Sequence, residues 1–339
     1  MGAGKILYGK QAKPFVLQWH ITHKCNLHCA HCYQQEYSSH AGLPELIEVL
    51  DKYERFLFLH GFKPHIFLTG GEPFSSENLF PLLEEIKKRG MPFTLLTNGT
   101  LIDIHKANRL AFLQPECVQV SLDGTREIHD GIRGQGSFDM ALRGIDSLVS
   151  QGVKVIVSFT VQKTNQDCFS ELADICRRHG VFKIWWDRVV TDTPESTESL
   201  ALSTEEFHRF LKRAAKLHDK FVKRNKGFYV SCERSLQFTE CKRPTQCYTC
   251  HAGKDMVTVL ADGSVMPCRR LPFVVGNIFT DELEDILSSS DTVKELRNAP
   301  IPEECLGCEH SEICRGGAKC VTYGQTGRLF AKDVNCFIK

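Results

Sequence analysis

The strongest constraint on the fold is a regular alternation of strand-like and helix-like segments over the first two thirds of the chain. Short apolar runs alternate with longer segments whose apolar residues recur at steps of three and four. This alternation is typical of an α/β protein with a parallel sheet covered by helices. The predicted strands are 15–22, 65–70, 93–98, 118–123, 154–161 and 183–190, and the predicted helices are 44–60, 78–89, 102–112, 138–150, 168–179 and 204–221.

Cysteine is unevenly distributed along the chain. Of the sixteen cysteines, three lie within 25–32, ten lie between Cys232 and Cys336, and Cys117, Cys168 and Cys176 are scattered. The basic segment 1–14 has no apolar stretch, and no run of 18 apolar residues follows, so we expect a cytoplasmic protein without a membrane span. Thiols stay reduced there, which favours metal binding over disulfides for the clustered cysteines. The scattered three fit buried core positions.

Chain length and net charge limit the number of domains and the kinds of binding partner. A chain of 339 residues is longer than the roughly 250–300 residues at which single cores stop growing. We therefore expect one large and one smaller domain, with a boundary near residue 225 where the cysteine content changes. The formal net charge is +1. This balance gives no electrostatic reason to expect nucleic acid or an anionic membrane as a partner.

The first cysteine group follows an apolar run. Cys25, Cys29 and Cys32 have the spacing C-x3-C-x2-C and are followed by Tyr33. Three thiolates can hold an iron–sulfur cube and leave one iron open for another ligand. Zinc usually takes four ligands arranged in C-x2-C pairs, so zinc is the weaker interpretation of this triplet.

The triplet and a second motif together resemble the radical S-adenosylmethionine (radical SAM) enzymes. Gly70-Gly71-Glu72-Pro73 follows the apolar run 65–68 and resembles the family's GGEP motif. The segments 97–100, 121–124 and 129–133 resemble the TNG, SLDG and HDxxR segments of its branch with a second cluster-bearing domain. Asn98 and Asp123 also suit ordinary turns, and Glu72 also suits the start of a helix. The resemblance implies cofactor contacts by Tyr33, Gly70, Gly71, Glu72, Pro73, Asn98, Ser121 and Arg133.

The resemblance also implies the fold. Radical SAM enzymes have a partial (β/α)6 barrel of the TIM type, and the chemistry of such barrels lies at the carboxyl ends of the strands. We expect a short extension over 1–14, the partial barrel over 15–225 and a cysteine-rich domain over 226–339.

The second domain has its own cysteine pattern. Cys250, Gly263 and Cys268 give C-x12-G-x4-C, and a further cysteine group follows. This resembles the SPASM domain, an extension that binds one or two auxiliary [4Fe–4S] clusters, although a zinc ribbon built on Cys247/Cys250 and Cys305/Cys308 is an alternative. In the downstream group the family spacing places a ligand at Ala318, but the cysteine is at 320. The implied ligands are Cys250, Cys268 and Cys320 with Cys247 or Cys241 for one cluster, and Cys305, Cys308, Cys314 and Cys336 for the other.

The resemblance implies three [4Fe–4S] clusters, S-adenosylmethionine (SAM) as cofactor and an oxygen-sensitive oxidoreductase. The leading expectation is oxidative modification of a peptide or protein, such as a thioether or carbon–carbon crosslink, with a flavodoxin or ferredoxin as electron donor. About a dozen residues precede the first strand, too few for the winged-helix recognition module of many SPASM peptide maturases. Three alternatives follow: a separate peptide-recognition protein presents the peptide, the barrel and SPASM surfaces bind it directly, or the substrate is not a leader-bearing peptide. Alternatives are tetrapyrrole modification, sulfatase maturation, and a zinc-stabilised or electron-carrying scaffold. Arg269-Arg270 follow Cys268, where sulfatase-maturing enzymes have an aspartate base, so sulfatase maturation is disfavoured. Asp262 or another carboxylate could replace that base, and no catalytic base is assigned.

Overall fold

The computed structural model describes residues 12–38, 41–191, 193–223, 227–231, 233–240 and 248–338. The candidate ligands Cys241 and Cys247 therefore lie outside the described residues. Within the described ranges, no helix is both long and apolar enough to cross a membrane.

Six consecutive parallel strands form the centre of the structure, as the sequence predicts. Each begins and ends within a few residues of its predicted range. They are β1 Pro14–His20, β2 Lys63–Thr69, β3 Phe93–Thr97, β4 Cys117–Ser121, β5 Val155–Val161 and β6 Lys183–Arg188. The α/β class with a partial barrel is confirmed.

Side-chain alternation gives this sheet two different faces. Trp19 and Trp186 are 1% exposed and belong to the core, and Trp186 packs against Phe207 and Phe210 of a covering helix. Trp185 lies on the opposite face, where its Nε1 donates to Gln119 Oε1 at 2.8 Å. We call this second surface the inner face, and hydrogen-bonding side chains are prominent on it.

Eight helices are described between β1 and residue 223. They are α1 Leu43–His60, α2 Leu79–Lys88, α3 Ile104–Leu113, α4 Arg126–Arg133, α5 Ser137–Ser150, α6 Phe169–Arg178, α7 Pro194–Leu200 and α8 Thr204–Lys223. The apolar periodicity does not predict α4, and it does not predict α7 in the polar segment around residues 193–200. Helix α7 forms there because the Thr193 side chain accepts from Ser196 N at 3.2 Å and a proline follows at the first helical position.

The C-terminal part extends both edges of the six strands. The strand β7 Tyr229–Val230 pairs with β6, and β8 Met256–Val259 pairs in parallel with β1. The strands β9 Ser264–Met266 and β10 Gly276–Asn277 continue outward from β8. Short helices complete this part: α9 Leu283–Ser289, α10 Asp291–Arg297, α11 Ser311–Cys314 and α12 Lys319–Thr326. The sheet thus continues past residue 225, and the domain boundary there stays a prediction.

A buried ion pair joins the last barrel strand to the C-terminal segment. The Arg188 guanidinium donates to both carboxylate oxygens of Asp333 at 2.6 and 2.7 Å and to Asn335 Oδ1 at 2.8 Å. Both charged side chains are at most 5% exposed. This contact fixes the C-terminal segment against the carboxyl end of β6.

Candidate active site

The predicted motifs meet at the carboxyl ends of β1, β2, β3 and β4. After β2, Gly71 N donates to Thr22 O at 2.7 Å and Glu72 N donates to Lys24 O at 2.8 Å. A Cβ on Gly70 would lie 2.6 Å from Thr22 O, and one on Gly71 would lie 2.4 Å from Lys24 O. The two glycines therefore allow the segment after β2 to lie directly against the backbone that enters the cysteine loop. Their close neighbours are protein backbone, and their contact with a ligand stays a prediction.

Glu72 connects β2 to β3. Its buried carboxylate accepts from Thr97 Oγ1 at 2.8 Å, from Asn98 N at 2.7 Å and from Phe74 N at 3.1 Å. Burial raises the pKa of Glu72 to about 7, although these hydrogen bonds act in the opposite direction. Pro73 follows at the start of a single 3-10 turn. Glu72 is thus held by both neighbouring strand ends.

Asn98 connects β3 to the cysteine loop. Its Nδ2 donates to Asn26 Oδ1 at 2.9 Å, and its Oδ1 accepts from Thr100 N at 2.9 Å. Asn98 thus makes the hydrogen bond of an ordinary turn, and its side chain also anchors the residue next to Cys25, while its contact with the cofactor stays a prediction. Asn26 is a contact that the sequence analysis missed.

Arg133 lies beside the cysteine loop on α4. Its Nε donates to Asp123 Oδ2 at 2.5 Å, and its Nη1 lies 3.8 Å from Cys29 Sγ. Asp123 is fully buried, and Thr160 N donates to its Oδ1 at 2.7 Å. Burial alone would raise the pKa of Asp123, but the Arg133 charge helps to hold it below its usual value. The carboxylate that Arg133 contacts in the structure is Asp123, and its predicted contact with the methionine carboxylate stays untested.

Ser121 and Tyr33 are two further residues predicted to contact the cofactor. Ser121 Oγ, at the end of β4, is 3.4 Å from Ser158 Oγ on β5. Tyr33 follows the third cysteine of the loop, and the Arg269 guanidinium carbon lies 4.5 Å from the centre of its ring. Tyr33 thus brings the cysteine loop against a residue of the C-terminal part.

The three cysteines of the loop are half-buried and lie within electrostatic reach of one another. Cys32 N donates to Cys29 O at 3.0 Å, which closes a tight turn between two of them. Burial raises the pKa of Cys29, and the neighbouring Cys32 adds to this effect, whereas the Arg133 charge opposes it. The loop places three thiols beside a buried cation, which suits an anionic iron–sulfur cluster.

Three of the cysteines predicted for one auxiliary cluster also meet. Cys250, Cys268 and Cys320 pack in one apolar group with Tyr248 and Ala318. Burial raises the pKa of Cys268 to about 12, and the neighbouring Cys320 and Cys250 contribute in the same direction. Cys320 thus lies with its predicted partners despite its unusual spacing. The fourth ligand, whether Cys241 or Cys247, lies outside the described residues.

The four cysteines predicted for the other auxiliary cluster line one cavity. Cys305, Cys308, Cys314 and Cys336 surround a space of about 190 Å³ together with Leu306 and Lys332, among others. They come from three separate segments of the C-terminal part. Such convergence suits a cluster with four thiolate ligands.

A site for one zinc ion fits less well. Across the described ranges, no three His, Cys, Asp or Glu side chains lie close enough together to hold a single metal ion. A zinc ligand must lie within about 2.3 Å of the metal, whereas a cube of iron and sulfur separates its thiolates widely. The scattered Cys117, Cys168 and Cys176 are buried, as predicted.

Comparison with known proteins agrees with this arrangement. Residues 19–176 match the model of the radical SAM superfamily, and residues 250–309 match that of SPASM, an iron–sulfur cluster-binding domain. Fe-coproporphyrin III synthase of Methanosarcina barkeri is 28% identical over 98% of this chain and 90% of its own length. Mycofactocin maturase MftC of Mycobacterium tuberculosis is 26% identical over 95% of this chain and 83% of its own length.

Two solved structures have the same fold. Streptococcus suis SuiB bound to SAM superposes with a TM-score of 0.78 at 17% identity, covering 96% of this chain and 78% of SuiB. The enzyme anSMEcpe, with bound SAM and the Cp18Cys peptide, superposes with a TM-score of 0.78 at 19% identity, covering 95% of this chain and 94% of anSMEcpe.

Radical SAM domains bind a [4Fe–4S] cluster and SAM, and SPASM domains bind auxiliary iron–sulfur clusters, so the predicted cofactors are confirmed. The chain is a radical SAM enzyme with a C-terminal SPASM domain.

Proposed function

We propose that this enzyme oxidatively modifies a peptide or protein, with a thioether or carbon–carbon crosslink as the leading product. When bound, the reduced cluster and SAM supply a 5′-deoxyadenosyl radical that takes a hydrogen atom from the substrate. The residues proposed to hold that cluster are Cys25, Cys29 and Cys32, with Arg133 beside them. Glu72, Asn98 and Ser121 are proposed to orient SAM at the strand ends.

The polar inner face supports a peptide substrate. Gln119 is bonded to Trp185, Gln18 Oε1 accepts from Thr258 Oγ1 at 3.0 Å, and Ser121 lies near Ser158. Amide and hydroxyl groups can exchange these partners for peptide groups. The apolar face of a flat macrocycle offers these groups no hydrogen bonds of its own, so the polar lining favours a peptide.

Tetrapyrrole modification is the second candidate. Fe-coproporphyrin III synthase and pre-heme d1 synthase are among the relatives, at 28% and 25% identity. Arg269 has no acidic side chain within 4 Å among the described residues, so its charge is available for a propionate. Sulfatase maturation is third, because Arg269 and Arg270 cannot serve as the proton acceptor expected after Cys268.

The test uses anaerobically reconstituted protein with SAM and a reductant. Precursor peptides encoded near the gene, iron-coproporphyrin III and a cysteine-containing sulfatase peptide are supplied separately. We expect a peptide to increase 5′-deoxyadenosine formation and to change mass, and deuterium at its reacting carbon should appear in 5′-deoxyadenosine. Turnover of iron-coproporphyrin III alone would instead establish the second candidate, and formylglycine formation at the highest rate would establish the third.

Two partners belong to the same proposal. We expect a flavodoxin or ferredoxin to reduce the clusters, and a separate recognition protein to present a peptide substrate. Adding the candidate recognition protein should lower the KM for the peptide, whereas exchanging one electron donor for another should change only the rate of reduction.

A further inference from the structure

A tight turn of the C-terminal part lies across the mouth of the barrel. Leu271 N donates to Cys268 O at 2.9 Å, so Arg269 and Arg270 occupy the corners of the turn. Arg270 extends toward β6, where its Nη1 donates to Asp187 Oδ2 at 2.6 Å. Arg269 extends toward the cysteine loop and stacks on Tyr33. The two arginines therefore point to different sides of the mouth.

The two arginines of this turn differ in their charged partners. Asp187 is shared by Arg270 at 2.6 Å and Arg234 at 3.7 Å. Arg269 contacts the ring and the carbonyl oxygen of Tyr33, the latter at 3.4 Å, and has no acidic partner within 4 Å in the described ranges. Arg270 and Arg234 thus share one carboxylate, and Arg270 also lies near the thiols of Cys320 and Cys268, whereas Arg269 faces Tyr33, which leaves its side of the turn open to an anionic ligand.

A buried imidazole lies on the same side. His20 is the last residue of β1 and is 2% exposed, and its Nε2 has no hydrogen-bond partner within the part of the chain that the structure describes. Strand alternation places His20 on the same face as Gln18, which contacts β8 on the inner face. Burial lowers the pKa of His20, and the charge of Arg269 adds to this effect, so the two groups lie within electrostatic reach. An unpaired buried nitrogen is costly, and a ligand would satisfy it.

We propose that Arg269 and His20 form a subsite that binds a carboxylate of the substrate. Arg269 supplies a guanidinium fork. His20 faces the Gly70 carbonyl through its other ring nitrogen, so its Nε2 becomes an N–H donor when the ring takes the proton of the incoming carboxyl group. The inference rests on the proposed function, because it names a chemical group of the substrate used there. That carboxylate belongs to an acidic side chain or C-terminus if the substrate is a peptide, or to a propionate if it is a tetrapyrrole.

The experiment measures how fast phenylglyoxal modifies Arg269 in the SAM-bound holoprotein, using mass spectrometry of the digested chain. The probes are a blocked five-residue peptide with a central glutamate, its glutamine analogue, and coproporphyrin III. Arg109 is the internal control, since it is exposed on α3, pairs with Glu84 at 2.9 Å and stacks on the ring of Phe80.

We expect the glutamate peptide or coproporphyrin III to slow modification of Arg269 on the order of tenfold, as a charge-assisted contact would. The glutamine analogue should not protect, and Arg109 should react equally in every sample. The acidic probe that acts at the lower concentration identifies the source of the carboxylate. His20→Ala should raise the concentration for half-protection severalfold at unchanged iron content, and His20→Gln, which keeps a donor, should raise it less.

Three results would overturn the subsite. In the first, the glutamate and glutamine peptides protect Arg269 equally and coproporphyrin III does not protect it. In the second, neither acidic probe protects Arg269. In the third, SAM alone protects Arg269 completely. In the last case Arg269 would belong to the SAM site. Protection without turnover of any candidate substrate would leave the subsite in place and refute the proposed function, so the two failures are distinguishable.

Discussion

Replacing Asp333 tests whether the Arg188 ion pair holds the C-terminal segment on the barrel. Asp333→Asn removes the negative charge and keeps the shape of the side chain. The guanidinium of Arg188 is 5% exposed and would remain buried with Asn335 as its nearest other acceptor. Breaking one partner of a buried pair costs about 3–5 kcal/mol.

The other contacts of Asp333 support a loss of stability within that range. Its Oδ2 also accepts from Ser235 Oγ and from Ala318 N, both at 3.1 Å. Asparagine retains one acceptor oxygen. We therefore expect the free energy of unfolding to fall by about 3 kcal/mol in Asp333→Asn and by about 5 kcal/mol in Asp333→Ala. With an m-value of about 3 kcal/mol per M, the former corresponds to a shift of about 1 M in the urea midpoint.

The assay is urea unfolding of the anaerobic holoprotein, followed by circular dichroism and by cluster absorbance. The control is Glu282→Gln, which removes an exposed ion pair with Arg55 on α1. Surface pairs contribute at most about 1 kcal/mol, so the control should shift the midpoint much less. Equal midpoints for Asp333→Asn and the control would refute the assigned role of the buried pair.

The pH dependence gives a second measurement on the same variant. Burial alone would raise the pKa of Asp333, but Arg188 holds it below its usual value. A depressed carboxylate pKa contributes stability that is fully present above the unfolded-state value near 3.9 and is lost as the pH falls through the folded value. The advantage of wild type over Asp333→Asn should therefore be constant above about pH 5 and shrink below it.

Three further predictions concern the clusters. Replacing the three cysteines of the 25–32 loop by alanine should remove one cluster, about four irons per monomer, and abolish 5′-deoxyadenosine formation; residual formation would contradict the ligand assignment. Cys320→Ala should lower the iron content and destabilise the C-terminal part. Its control is Cys176→Ala in the apolar core, which should leave the iron content unchanged. Equal iron content in the two variants would exclude Cys320 as a ligand. Gly71→Ala should displace the cysteine loop and lower SAM affinity at least tenfold, on the order of 1.4 kcal/mol, because its Cβ would lie 2.4 Å from a backbone oxygen. Gly131→Ala, whose Cβ would meet nothing within 4 Å, is the control, and equal SAM affinity in both would contradict the steric argument.

The barrel strands could be predicted because their apolar residues mark burial directly. Helix α4 could not, since Gly131 and the charged residues of 126–133 weaken any apolar periodicity. The helix is stabilised by tertiary contacts instead, such as Ala30 N donating to Ile132 O at 2.8 Å. A segment held by contacts with a distant loop carries little local signal.

The contacts between residues of the site could not be predicted from the sequence either. The motif names Arg133, but Asp123 reaches it only because β4 ends beside α4, and burial excludes water from the pair. The position of Cys320 has a similar cause. Ala318 precedes α12 and Cys320 lies in its first turn, so the start of the helix decides which residue faces Cys250. Spacing along the chain does not specify that rotation.

Arg269 and Arg270 are adjacent in the sequence, but their contacts in the folded chain differ. The sequence indicates only that a proton acceptor is missing after Cys268. In the folded chain the turn sends Arg270 to the carboxylate of Asp187 and Arg269 to the ring of Tyr33, so adjacent residues of the same type have different electrostatic environments. Arg270 neutralises a charge of the barrel, which leaves Arg269 as the cation available to the substrate. In this chain, the binding of an acidic substrate therefore depends on which corner of the turn each arginine occupies.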